Sequence, residues 1–224
     1  MKAAATSAPH PASAGRLRGL YAITPDEADS VILEAKVRAA LAGGARIVQY
    51  RNKSTDKSLR RAQALALRAL CRAAGATFII NDDLALALAT DADGVHLGRD
   101  DGDIAAARQA LGPARLLGAS CYDRLDLAQR ALELGADHIA FGSVFSSPTK
   151  PGAVRASLAL FGQARRQWNA PLIAIGGITA DNAREVVVAG ADAIAVISAL
   201  FDAPHIEARA RQFATLFNSQ TSTS

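Results

Sequence analysis

The feature that most constrains the fold is an alternation, sustained along nearly the whole chain, between short apolar β-rich runs and Ala/Leu/Arg-rich helical runs. The predicted strands are Leu17–Ile23, Ala45–Arg51, Thr77–Asn81, Gly94–Leu97, Leu116–Ser120, His138–Ser143, Leu172–Ile175 and Ala193–Ser198. The predicted helices between them are Ala28–Ala42, Asp56–Ala74, Leu84–Ala89, Ile104–Leu111, Leu125–Leu134, Ser157–Trp168 and Ala180–Ala189, with Pro204–Phe217 after the last strand. The strands are apolar on both faces, as parallel strands are when side chains fill one side and helices cover the other. This pattern predicts an α/β fold, a single (β/α)8 TIM barrel, with a doubly wound sheet as the alternative use of the same alternation. Local punctuation agrees. Thr179 or Asp181 is placed to cap the helix ending at Ala189, and Gly190 follows at the position where helices leave the right-handed conformation.

The barrel is expected over residues 16–217, between an Ala/Ser/Pro-rich leader over 1–15 that reads as disordered and a polar tail over 218–224. No run of about 18 uncharged apolar residues is present, and the N-terminus lacks the apolar core of a secretory signal. Cys71 and Cys121 cannot build a disulfide framework and lack zinc-site spacing. These observations predict a cytoplasmic chain without a membrane partner. The net charge is +4, but the arginines are scattered along helices and aromatics make up only 5%. No basic stretch interleaves with aromatic residues, so a nucleic-acid partner is not expected. Apolar helix faces are compatible with a homodimer, without locating its interface.

Barrel chemistry sits where the strands end. The second strand ends in VQYRNKS, and strand periodicity puts Gln49, Arg51 and Lys53 on one side. Two cations and an amide at a barrel mouth suit phosphate oxygens. The third strand ends in Asn81, Asp82 and Asp83, and the fourth is followed by Asp100, Asp101 and Asp103. Some of these cap helices; others, beside cations, suit a hard divalent ion such as Mg²⁺, which takes one or two carboxylates plus substrate phosphates. His96, in mid-strand, is assigned a packing role. Ser120 and Cys121 lack His and Asp partners at nucleophile spacing, so Ser120 is read as a hydrogen-bond donor to a substrate oxygen. After the sixth strand, Lys150 sits between Pro148 and Pro151. Gly176, Gly177 and the short helix predicted after Ile197–Ser198 have the makings of the phosphate site common to barrel enzymes. Two phosphate demands at one mouth suggest joining two phosphorylated substrates with loss of pyrophosphate.

The order of motifs resembles the thiamine-phosphate synthase family. It runs YAITP at 21–25, VQYRNKS at 48–54, IINDD at 79–83 and DGVHLGRDD at 93–101. GASCYD at 118–123, PTKPGA at 148–153, AIGGIT at 174–179 and AVISALF at 195–201 complete the series. The resemblance implies a phosphate-binding TIM barrel that couples hydroxymethylpyrimidine pyrophosphate with hydroxyethylthiazole phosphate or its carboxylated form. It implies that Gln49, Tyr50, Arg51, Asn52, Lys53, Asn81, Ser120 and Lys150 hold the pyrimidine pyrophosphate, with Arg51, Lys53, Ser120 and Lys150 catalytic. Asp82 and Asp101 would bind Mg²⁺, with Asp83 competing for the role. Ser147, Pro148, Thr149, Gly177, Ile197 and Ser198 would hold the thiazole phosphate. The implied reaction is dissociative: the C–O bond breaks first, and the thiazole nitrogen attacks the resulting pyrimidinylmethyl cation. Many relatives carry Pro-Thr-x-Thr-Lys-Lys in the loop after the sixth strand, where this chain has Ser146-Ser147-Pro148-Thr149-Lys150-Pro151. The alternatives are a thiazole tautomerase, which would need no pyrophosphate site, and a non-catalytic phosphate-binding barrel, in which the paired carboxylates and Lys150 would have no chemical purpose.

Overall fold

The computed structural model describes residues 16–146 and 155–218. Strands β1 (Gly19–Ile23), β2 (Ile47–Tyr50), β3 (Thr77–Asn81), β4 (Gly94–Leu97), β5 (Leu116–Tyr122), β6 (His138–Phe141), β7 (Leu172–Ile175) and β8 (Ala193–Val196) pair in parallel with their sequence neighbours. β8 returns to β1, Gly19 opposite Ala193 through Ala22 opposite Val196. The sheet therefore closes, and a doubly wound sheet is excluded.

Helices α1 (Ser30–Ala42), α2 (Lys57–Ala74), α3 (Leu84–Ala89), α4 (Ile104–Leu111), α5 (Leu125–Glu133), α6 (Leu158–Gln167) and α7 (Ala183–Val188) alternate with the strands. The short α8 (Ser198–Phe201) and α9 (Ile206–Asn218) follow β8. Asp29, Asp56, Asp83 and Asp103 cap α1 to α4, each carboxylate accepting backbone N–H groups of the first turn. Each such cap stabilises its helix by about 1 kcal/mol. α1 turns Leu33, Val37 and Ala40 inward, one helical face at spacings of four and three.

Most element ends fall within a few residues of the sequence expectation, and two of the differences bear on the site. α7 starts at Ala183 rather than Ala180, and neither Thr179 nor Asp181 caps it. Asn182 occupies that position and turns its amide back, accepting from the Thr179 N–H and donating to the Gly177 carbonyl. β2 stops at Tyr50, so Arg51 already lies beyond the strand.

Because side chains alternate along a strand, every second residue enters the barrel. Tyr21, Ile23, Ile47, Ile79, Leu116, Ala140, Ile173, Ala193 and Ala195 form that inner core. Their alternates, among them Ala22, Val48, Tyr50, Phe78 and Ile80, pack outward against the helices.

A repeated device fastens the end of the barrel where the strands begin. Asp93, Asp137 and Asp192 stand just before β4, β6 and β8. Each carboxylate accepts the N–H of Phe78, Leu117 or Leu172 near the start of the preceding strand. Each also pairs with arginine: Asp93 with Arg16 and Arg68, Asp137 with Arg108, Asp192 with Arg165. Three of the helix arginines, Arg68, Arg108 and Arg165, are thus structural. A cleft of about 800 Å³ at this same end is lined by the two arginines that pair with Asp93, Arg16 and Arg68, together with Arg18, Arg46, Arg72, Arg211 and Asp93 itself. Among the described residues, no helix is long and apolar enough to cross a membrane.

Candidate active site

At the opposite end, inward-facing positions from several strands converge. Gln49 follows Ile47 into the barrel, is 3% exposed, and donates from Nε2 to the Tyr21 hydroxyl at 2.8 Å. Its carbonyl receives the Thr24 N–H. Thr24 in turn clamps the next turn of chain: its Oγ1 accepts the Arg51 N–H and donates to the Arg51 carbonyl, both at 2.9 Å. A β-branched hydroxyl, fully buried, thereby fixes where Arg51 leaves the strand.

Asp26 completes this corner. Its Oδ2 takes Arg51 Nη1 at 3.0 Å, and its Oδ1 takes the Lys53 N–H at 2.9 Å. Partial burial opposes ionisation, but the Lys53 N–H and the Arg51 guanidinium hold the Asp26 carboxyl below its usual range. Asp26, rather than strand alternation, brings Arg51 and Lys53 together, since both lie past the end of β2. The exposed Lys53 is tied through its backbone.

Asp82 sits at the tip of β3 with φ +62°, a left-handed conformation that Asp and Asn tolerate better than most residues. Its N–H bonds to the His96 carbonyl, and Asn81 donates from its side-chain amide to the Asp82 carboxylate. Burial pushes the Asp82 carboxyl up to about 6, assisted by the charge of Asp101 and a hydrogen bond with it. Arg51 and Asn81 pull the other way, so the guanidinium lies close enough to act on this pair. Asp101 Oδ2 is steadied by the Gly98 N–H. Asp83 is committed elsewhere: it caps α3 and pairs with Arg60. Of the two neighbours, Asp82 is therefore the carboxylate that faces the mouth with Asp101.

Two carboxylates held side by side, with burial and mutual repulsion opposing ionisation of Asp82, have the chemistry of a hard-cation site. Among the described residues, no group of three or more His, Cys, Asp or Glu side chains forms a metal cage. Two carboxylates match the small protein contribution that Mg²⁺ takes when substrate phosphates supply further oxygens.

Ser120 enters from β5, immediately before an irregularity in the β5–β6 register. Its Oγ lies 3.0 Å from His96 Nε2. His96 Nδ1 lies 3.4 Å from Nε2 of His138, an inward-facing residue of β6. Glycine is required at 118, because a Cβ there would lie 2.2 Å from His138 and 2.4 Å from His96. Cys121 points out of the barrel into the helix layer, where burial pushes its thiol up to about 12, which leaves it no role as a nucleophile.

On the far side of the mouth, Gly177 (φ +65°) lies where the chain after β6 passes. A Cβ on it would meet the Phe145 and Ser146 carbonyls at 2.6 and 2.5 Å. The space a side chain at 177 would need is thus occupied by the protein's own backbone. Ile197 and Ser198 open α8 as expected. Ser147, Pro148, Thr149 and Lys150 lie outside the described residues.

Tyr50 and Asn52 are not brought to the mouth with the others. Tyr50 has the opposite parity to Gln49: it is 1% exposed, and its hydroxyl donates to Gln63 Oε1 on α2. Asn52 donates to the same oxygen. The VQYRNKS segment therefore splits, with Gln49 and Arg51 facing the mouth and Tyr50 and Asn52 fastening β2 to α2. Two residues of the mouth region were missed from sequence. His138 has the parity of an inward position, a signal that was available. Asp26 lies in a loop where no periodicity marks it.

A family model described as thiamine monophosphate synthase matches residues 20–200. The thiamine-phosphate synthase of Aromatoleum aromaticum is 57% identical over 204 residues, covering 91% of this chain and 98% of that one. That of Methylobacillus flagellatus is 59% identical over 202 residues, covering 90% and 96%. Among solved structures, the thiamine phosphate pyrophosphorylase of Pyrococcus furiosus superposes with a TM-score of 0.82 at 35% identity, covering 92% of this chain and 98% of that one. With the barrel and its mouth in the same order of motifs, the chain belongs to the thiamine monophosphate synthase family.

Proposed function

We propose that this chain is a thiamine-phosphate synthase, an alkyl-group transferase that joins hydroxymethylpyrimidine pyrophosphate to a hydroxyethylthiazole phosphate and releases pyrophosphate. The observation that carries the reading is the pairing of Asp82 with Asp101 within the field of Arg51. A monophosphate ligand alone needs no such pair, whereas a pyrophosphate chelated to a divalent cation does. Bound Mg²⁺, held by Asp82 and Asp101, would neutralise negative charge on the pyrophosphate.

The protein's own groups account for the rest. Arg51, pre-aimed by Asp26 and Thr24, meets the charge that grows on pyrophosphate as the C–O bond breaks. Lys53 and Lys150 add cations, and Ser120 and Gln49 supply neutral hydrogen bonds. Positioned donors of this kind need no reorganisation as charge develops, which is why each contributes more than it would in water. Gly177, Ile197 and Ser198, with Ser147–Thr149, hold the thiazole phosphate so that its ring nitrogen faces the pyrimidinylmethyl carbon. The reaction is assigned to the cytosol.

The purified chain, given both substrates and Mg²⁺, forms thiamine phosphate detectable by chromatography. Absence of that product under conditions where a characterised synthase makes it would reject the assignment.

A further inference from the structure

The two imidazoles beneath Ser120 have no part in the steps above, yet they occupy barrel-interior positions that apolar side chains fill elsewhere. His138 is fully buried and its Nδ1 has no hydrogen-bond partner. Both rings are buried, His96 at 7% and His138 at 0% exposure, and burial in a barrel interior favours the neutral imidazole. A neutral imidazole carries one N–H and one lone pair, so the proton positions along Ser120, His96 and His138 are linked.

Two arrangements satisfy the 3.4 Å contact between His96 Nδ1 and His138 Nε2. In the first, His96 donates to His138. His96 Nε2 is then a lone pair that takes the Ser120 proton, and His138 is left with a buried N–H that has no acceptor. In the second, His138 donates to His96. His96 then donates from Nε2 to Ser120 Oγ, and the Ser120 hydroxyl proton is free to point into the mouth. Orphaned buried N–H groups are rarer than orphaned acceptors, which favours the second arrangement. An anionic ligand favours it too, because the first arrangement offers phosphate oxygens only the lone pairs of Ser120.

We propose that His138 is a positioning residue that, through His96, presents Ser120 as a hydrogen-bond donor to the pyrophosphate of the pyrimidine substrate. The proposal rests on the synthase reading of the mouth. Its structural condition is Gly118, whose missing Cβ leaves the space in which the two rings meet.

The test uses two substitutions that keep a polar side chain. In His138→Gln the amide reaches the place of Nε2 and can donate to His96; in His138→Asn it reaches only the place of Nδ1. In His138→Asn, kcat/KM for the pyrimidine pyrophosphate falls by about tenfold or more, the range for a hydrogen bond to a charged group, and His138→Gln recovers most of it. KM for the thiazole phosphate is unchanged in both. Once Ser120→Ala is in place, adding His138→Asn has no further effect. The ¹⁵N spectrum of histidine-labelled wild-type chain shows His96 protonated at Nε2. Equal losses in the Asn and Gln variants, a full additional loss on top of Ser120→Ala, or a proton on His96 Nδ1 would each overturn the relay. A wild-type chain that forms no thiamine phosphate rejects the synthase reading and the role with it, whereas the ¹⁵N result judges the proton arrangement independently of activity.

Discussion

Replacing Asp82 by asparagine separates the burden this carboxylate places on the fold from the cation binding proposed for it. The folded chain holds the Asp82 proton up to about pH 6, against an ordinary carboxyl at 3.8. Because the folded state binds that proton more tightly than the unfolded state, its contribution to stability is complete below 3.8 and is lost as the pH rises through about 6. At about 1.4 kcal/mol per pH unit, the full interval corresponds to about 3 kcal/mol, and screening of a half-exposed group reduces it to about 1–2 kcal/mol. Asparagine keeps the left-handed backbone and the volume but carries no charge. In chelator at pH 7.5 the Asn variant therefore melts above the wild type by about 2–8 °C, given about 2–4 °C per kcal/mol for a chain of this size. The difference narrows as the pH is lowered through about 6. Mg²⁺ with pyrophosphate reverses the order by binding and stabilising the wild type alone. Differential scanning calorimetry at several pH values reads all three effects. An Asn variant that melts at or below the wild type in chelator at pH 7.5, or an advantage that does not change with pH, would show that the ionised Asp82 places no burden on the fold.

Other perturbations address single links. Lys150→Ala is expected to slow thiamine phosphate formation by about 3 kcal/mol in activation free energy, a factor of about a hundred, without shifting the melting temperature. A near-normal rate would remove Lys150 from the machinery. Asp137→Ala leaves Arg108 and the Leu117 N–H without their shared acceptor and should lower the unfolding free energy by about 3 kcal/mol in urea titrations; a loss under about 1 kcal/mol would show that the staple at the start of β6 is not cooperative. Tyr50→Phe removes the bond to Gln63, so it should destabilise by about 1 kcal/mol while leaving KM for the pyrimidine pyrophosphate unchanged. A raised KM would return Tyr50 to the substrate.

The barrel was legible because its cause is periodic. Alternation of apolar runs with helical runs sets the element order, and a period of two sorts Gln49, Asn81, Ser120 and Ile197 to the inside without any contact being known. The same rule, applied to Tyr50, places it outside, and motif resemblance alone had grouped it with its neighbours. Helix caps were legible at Asp103 but not at Asn182, whose side chain bonds backward to a loop instead of forward to the helix. What sequence could not supply were the non-periodic contacts. The Asp26 clamp on Arg51 and Lys53 joins loops 25 residues apart. The meeting of His96 with His138 depends on a glycine on the strand between them. Nor could sequence show that Asp83 is committed to the fold, where Arg60 reaches from α2 to pair with it.

On the proposed reading, this mouth couples departure of pyrophosphate to capture by a thiazole phosphate in the presence of Mg²⁺. The most direct measurement follows pyrophosphate and thiamine phosphate together in steady state, with each substrate and Mg²⁺ omitted in turn. Equal amounts of the two products are expected when all are present, with sustained pyrophosphate release suppressed when the thiazole phosphate or Mg²⁺ is left out. Continued release at the same rate without the thiazole phosphate, or no pyrophosphate from the complete mixture, would contradict that reading.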